Sequence, residues 1–179
     1  MGITDSAIIK MIENTVYQFA VPTMDGEEVS LNTFKGKVLL IVNTASDCSF
    51  TPQLKELEQL RQEFAAEDFE ILAFPSNDFG GQEPLENSSL EQCYRGTFGV
   101  NFQIFDKIRV RGAYAHPLYK FLADKKQNKH VSALPRWNFH KYLINKAGEV
   151  TDFFYPFTKP TSSRLRKRIE KLLKQLSPI

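Results

Sequence analysis

Two cysteines, Cys48 and Cys93, are the side chains in this 179-residue sequence best suited to covalent chemistry. A thiolate is a strong nucleophile, and its oxidised forms condense with a second thiol to a disulfide. Two lone cysteines fall short of a zinc site, and the three histidines show no ligand spacing, so no metal and no cofactor is expected. The start, Met1 to Val16, holds no unbroken apolar stretch because Lys10 and Glu13 interrupt it. A secretory leader is therefore not expected, and without one neither is a purely structural disulfide. Redox chemistry in a cytoplasmic setting remains, or no chemistry.

Cys48 follows the apolar run Lys37-Val-Leu-Leu-Ile-Val42 and precedes Pro52, after which Leu54, Leu57, Leu60 and Phe64 recur at helical spacing. The cysteine thus lies between a buried strand and a helix N-terminus, where free N–H groups favour an anion. Lowering a thiol pKa by about two units, at about 2.7 kcal/mol, leaves it mostly ionised at neutral pH. The plain alternative is a small buried hydrophobe, but the flanking Asn43-Thr-Ala-Ser-Asp47 and Ser49 are polar and loop-like. Asp47 would oppose ionisation unless it faces solvent.

The elements that must hold this junction can be read on either side of it. Val16 to Val21 alternates like a strand, and Asp25-Gly26 turns it into an extended piece at Glu28 to Leu31, an N-terminal β-hairpin. Glu70 to Phe74 is a second buried strand, which makes a βαβ unit with a right-handed crossover. Ser88 or Ser89 is expected to cap a short helix through Leu90, Cys93 and Tyr94 that ends near Gly99. Phe102 to Val110 reads as extended, and His116-Pro117 starts a helix through Leu118, Phe121 and Leu122. Phe139–Ile144 and Val150–Tyr155 form an antiparallel hairpin around Lys146-Ala-Gly148. A last helix, capped by Ser162 or Ser163, runs through Leu165, Ile169, Leu172, Leu173 and Leu176. This order predicts an α/β, thioredoxin-like fold: one domain over residues 1–179, with a central mixed sheet flanked by helices.

A net charge of +2 is too small to imply a nucleic-acid partner, and no run approaches the length of a membrane span. Gly2 and Ser6 fit a loose myristoylation pattern, best read as chance. The final helix carries six basic residues between Arg164 and Lys174 against Glu170 alone. We read it as docked on the sheet with a solvated basic face, in preference to peripheral attraction to an anionic membrane.

Three segments resemble the signatures of the glutathione peroxidase family, in family order. They are Asn43-Thr-Ala-Ser-Asp-Cys48-Ser-Phe-Thr51-Pro-Gln53, Phe74-Pro-Ser-Asn77-Asp-Phe79-Gly-Gly-Gln82-Glu-Pro84 and Arg136-Trp137-Asn138-Phe139-His-Lys141-Tyr-Leu143. The resemblance runs from about Val16 to the C-terminus. It implies a thiol peroxidase whose reactive Cys48 is served by Gln82, Trp137 and Asn138. Amide and indole N–H groups suit that task because they donate hydrogen bonds without titrating. Taken singly, Trp137 could be a core aromatic, Gln82 a turn residue and Asn138 a backbone cap.

The resemblance also implies that Cys93 is the resolving cysteine of a thioredoxin-dependent type. It would form a disulfide with Cys48, with thioredoxin rather than glutathione as reductant, after the 88–99 helix unwinds. Family members that form tetramers carry an extra loop between the positions of Phe121 and Trp137, so the resemblance implies a monomer here. Ser76, Asp78 and Arg111 depart from common family residues. A redox relay that passes oxidation to a client protein would use the same two thiols. A non-catalytic binding module would have no use for the three donors.

Overall fold

The computed structural model describes residues 5–177; Gly2 of the myristoylation-like start lies outside them. Helix α1 (Asp5–Glu13) was not foreseen from the sequence. The chain then makes a 3-10 turn at Val16–Gln18, capped by Thr15 Oγ1 accepting from the Tyr17 N–H. The strand expected from Val16 therefore starts only at β1 (Ala20–Pro22), which pairs antiparallel with β2 (Glu28–Ser30) to give the N-terminal hairpin.

Strand β3 (Val38–Thr44) is buried along its whole length, as its apolar run requires. Helix α2 (Gln53–Glu63) carries the chain to β4 (Phe69–Pro75), parallel to β3. The next helix, α3 (Asn87–Gln92), contains Ser88 and Ser89 rather than being capped by them. Glu86 holds the extended cap backbone instead, so the helix begins before either serine. It passes at Cys93–Thr97 into a single π turn, a feature no sequence signal announced.

Strand β5 is only Gln103–Ile104, far shorter than the Phe102–Val110 run expected. Beyond it the backbone bonds to separate places, Asp106 N to Pro22 O and Ile108 N to Pro75 O, and cannot continue one ladder. Helix α4 (Pro117–Ala123) is capped by His116, whose Nδ1 accepts from the Leu118 N–H at 3.1 Å. A one-turn helix α5 (Lys125–Asn128) follows. Strands β6 (Lys141–Ile144) and β7 (Val150–Phe154) form the expected hairpin, and Ser162 caps α6 (Ser163–Leu173). Leu176 lies past that helix and is 94% exposed, so the helix stops three residues short of the sequence reading.

The main sheet has the order β5-β4-β3-β6-β7; β5, β4 and β3 pair in parallel, and β6 pairs antiparallel with both β3 and β7. This is the thioredoxin-like arrangement. Alternation along β3 divides the core. Val38, Leu40 and Val42 face Leu54, Leu57 and Leu60 of α2 and Leu165, Ile169 and Leu172 of α6. Leu39 and Ile41 face Leu118, Phe121 and Leu122 of α4. Each buried leucine contributes about 1.5–3 kcal/mol of burial. The basic face of α6 meets acids on its neighbours: Arg166 pairs with Glu63 at 2.5 Å and Arg168 with Asp152 at 2.8 Å. No helix among the described residues is long and apolar enough to cross a membrane.

Candidate active site

Where β3 ends, the chain turns through Ser46–Phe50 and climbs into α2 by short-range bonds, Thr51 N to Cys48 O and Gln53 N to Phe50 O. Thr51 clamps this turn. Its hydroxyl accepts the Cys48 N–H and donates to Ala45 O, both at 2.9 Å. Cys48 is half-buried, and its Sγ accepts the Phe50 N–H at 3.4 Å. Asp47, a complication for an ionised Cys48 unless it faces solvent, is exposed.

The Asp47 N–H donates to Gln82 O at 2.9 Å, which lays the loop after β4 against the cysteine turn. Gly80 and Gly81 pass through the left-handed region, φ +66° and +64°. A Cβ at Gly80 would meet Trp137 Cη2 at 3.3 Å, so glycine lets the indole close on the loop. Trp137 and Asn138 come from the segment that enters β6. Asn43 of β3 anchors them: its Nδ2 donates to Trp137 O at 3.1 Å, and its carbonyl accepts the Phe139 N–H at 2.7 Å. Phe139 is thereby held at φ +66°, unusual for a bulky residue.

Asn138 is fully buried and its Nδ2 donates to Gln82 Oε1 at 3.0 Å. Its Oδ1 has no protein partner. With Gln82 Oε1 engaged, the Nε2 of Gln82 remains a donor free to meet a substrate. The structure therefore gathers Gln82, Trp137 and Asn138 into one contact group, joined to the cysteine turn through Asp47. Their donors are not engaged on Sγ, which takes its hydrogen bond from the Phe50 backbone. Next to this turn Ser49, Phe50, Pro52, Gln53, Phe157 and Lys159 border an open hollow of about 490 Å³, with Phe50 and Phe157 edge to face.

Cys93 begins the π turn and is also half-buried, unbonded to Cys48. Both thiols pack on the same face of the sheet. Beside Cys93 stands Glu83, a fully buried carboxylate. Its Oε1 accepts from Ser46 Oγ at 2.6 Å and its Oε2 from Tyr94 OH at 2.7 Å. Burial pushes the Glu83 carboxyl up, against the pull of those two hydroxyls. Burial and the Glu83 charge push the Cys93 thiol up. On the same face, Lys141 is buried with its amine on Gln53 Oε1 and Phe139 O, both at 2.8 Å, and burial brings it down to about 7.

Sequence reasoning missed Thr51, Asn43, Glu83 and Tyr94. Asn43, a lone amide at the end of an apolar strand, was a usable signal. Glu83, between Gln82 and Pro84 in a turn-like stretch, carried none. The departures Asp78 and Arg111 have structural work. Asp78 pairs with Arg109 at 2.7 Å and accepts the Val110 N–H at 2.7 Å, while Arg111 lies 4.6 Å over the Phe79 ring. Phe79 in turn packs on Trp137.

The sequence profile of the family described as glutathione peroxidase matches residues 16–123. The chain belongs to the glutathione peroxidase family. It is 44% identical over 158 residues to a glutathione peroxidase of Lactococcus lactis, covering 88% of this chain and 98% of that one. It is 41% identical over 165 residues to a hydroperoxy fatty acid reductase of Synechocystis, with 89% and 96% covered. The crystal structure of Trgpx in its apo form aligns with a TM-score of 0.74 at 37% identity, covering 92% of this chain and 98% of that one. As a member of this family the chain is an enzyme that acts as a peroxidase.

Proposed function

We propose that this enzyme reduces hydrogen peroxide and organic or lipid hydroperoxides with Cys48 as the attacking thiol, and that Cys93 and then thioredoxin return it to the reduced state. The observation that carries the reading is the Asn138–Gln82 bond beside Trp137, set against the cysteine turn at the end of β3.

The Cys48 thiolate attacks one peroxide oxygen and the O–O bond breaks. Sulfur becomes the sulfenic acid, and the other oxygen leaves as an alkoxide or hydroxide that takes up a proton. The donors of Gln82, Trp137 and Asn138 stabilise the charge that develops on that oxygen. The thiolate of Cys93 then attacks the sulfenic sulfur. An S–S bond forms and hydroxide leaves, which with a proton becomes water. A reduced dithiol protein takes the disulfide back to two thiols, itself becoming oxidised.

The hollow at Phe50 and Phe157 offers apolar surface to the organic part of a hydroperoxide. The fatty acid hydroperoxide reductase among the relatives supports that substrate class. Two unbonded thiols suit a reducing, cytoplasmic compartment, and the short segment between Phe121 and Trp137 a monomer of one domain.

Steady-state peroxide reduction with thioredoxin and with glutathione, on wild type, Cys48→Ser and Cys93→Ser, tests this. Cys48→Ser should lose at least about 10³-fold in activity with either donor. Cys93→Ser should keep the first peroxide turnover and lose thioredoxin-driven cycling. Unchanged activity in Cys48→Ser would overturn the reading. Slow turnover with a stable mixed disulfide to one client protein would favour a relay.

A further inference from the structure

One buried carboxylate joins the segments that carry the two thiols. Ser46, bonded to Glu83 Oε1, stands two residues before Cys48; Tyr94, bonded to Oε2, stands directly after Cys93. The same tyrosine hydroxyl lies 2.9 Å from Thr44 Oγ1, at the end of β3. Glu83 is itself fixed, its N–H donating to Asn77 Oδ1 at 3.0 Å and its carbonyl accepting from Lys107 Nζ at 2.8 Å. These contacts form a clasp from the cysteine turn to the Cys93 turn.

The rest of the Cys93 segment is weakly held. Along α3 and the π turn only Leu90 and Tyr94 are fully buried, and Arg95, Gly96 and Thr97 are exposed. A π turn is a rare and local departure from helical bonding, frequent at functional sites. Tyr94 is therefore the pin of this segment, and its hydroxyl is bonded to a charged group, the stronger kind of neutral-to-ion hydrogen bond. A disulfide needs the two Cα atoms within about 7 Å and the Cβ vectors turned toward each other. Any movement of Cys93 toward Cys48 carries its neighbour Tyr94 with it.

We infer that the Ser46–Glu83–Tyr94 clasp holds the Cys93 turn in its dithiol arrangement and sets the rate at which Cys93 reaches the Cys48 sulfenic acid. Glu83 and Tyr94 are positioning residues that act on the second chemical step and leave the first untouched. The inference rests on Cys93 being the resolving thiol, as proposed above.

Tyr94→Phe is the sharpest test, because it keeps the ring and the Glu83 charge and removes only the hydroxyl. One equivalent of hydrogen peroxide is mixed with reduced enzyme. Trp137, the single tryptophan, reports Cys48 oxidation by fluorescence. Acid-quenched mass spectrometry follows the Cys48–Cys93 disulfide. Tyr94→Phe should form the disulfide ~10-fold faster, the factor expected from losing a hydrogen bond to a charged group, with Cys48 oxidation within about twofold of wild type. Ser46→Ala, which opens the other end of the clasp and keeps the Glu83 charge, should accelerate the same step and decides the matter if Tyr94→Phe does not fold. Disulfide rates equal to or below wild type in a folded variant would overturn the clasp. A wild type that makes no such disulfide would instead remove the reading beneath it.

Discussion

The two thiols lie over one face of the sheet, but the buried charges on that face are opposite in sign. Toward the start of α2, below the turn that carries Cys48, the amine of Lys141 meets only neutral acceptors, Gln53 Oε1 and Phe139 O. Under the turn that carries Cys93, the Glu83 carboxylate is bonded at both oxygens. Burial raises the free energy of either charge, so it drives the two groups in opposite pH directions. The consequences for the thiols also differ. Burial and the Glu83 charge push the Cys93 thiol up, whereas the Cys48 Sγ accepts a backbone N–H from Phe50. The contrast teaches that one core face can bury charges of opposite sign under two neighbouring turns, each held by its own set of hydrogen bonds.

The contrast is tested most strongly at Lys141. Between about pH 7 and 10.5 its amine binds more protons in the unfolded chain than in the fold. Stability therefore rises with pH through that window, by at most about 5 kcal/mol at about 1.4 kcal/mol per unit. Urea unfolding at pH 7 and pH 10 should show a stability change more positive in wild type than in Lys141→Met, where the raised Cys93 and tyrosine groups leave a fall with pH. An equal change with pH in the two proteins would show that the cationic half of the comparison is misplaced.

A second test separates the donors from the clasp. Trp137→Phe keeps a ring against Phe79 and removes the indole N–H. Stopped-flow oxidation of Cys48, followed by trapping of its sulfenic acid, should slow by about 10²-fold, the cost of removing one donor of an oxyanion site. The later disulfide step should hold its wild-type rate; a loss confined to that step would reverse the assignment of the two regions. The smallest effect is expected at Thr51→Val, which removes the clamp on Cys48 N–H and Ala45 O. It should lower stability by about 1–2 kcal/mol in thermal unfolding, because one backbone donor is left unpaired. No loss would place that donor in contact with solvent.

Much of the fold was legible because local pattern and tertiary role agree. The apolar run before Cys48 became a wholly buried strand, and the leucines after Pro52 became the inner face of α2. Errors fell where tertiary bonding overrode pattern. Val16–Gln18 alternates yet turns, because Thr15 caps it and Val16 N bonds to Gly148 O across the molecule. The 102–110 run is extended in type, but its backbone partners lie on three different segments.

By itself the sequence placed Cys48 at a strand-to-helix junction, and the resemblance of three segments to the family signatures singled out Gln82, Trp137 and Asn138. Those are properties of short stretches and their order. What only the tertiary structure decided is which polar groups lose their water. Nothing local marks Glu83 as buried, and Lys141 falls in a strand as any lysine can. Both are dry because segments far apart in sequence close over them: Ser46 and Tyr94 on one, Gln53 and Phe139 on the other. Burial is a sum over such distant packing, and the shift of the Cys93 thiol follows from it.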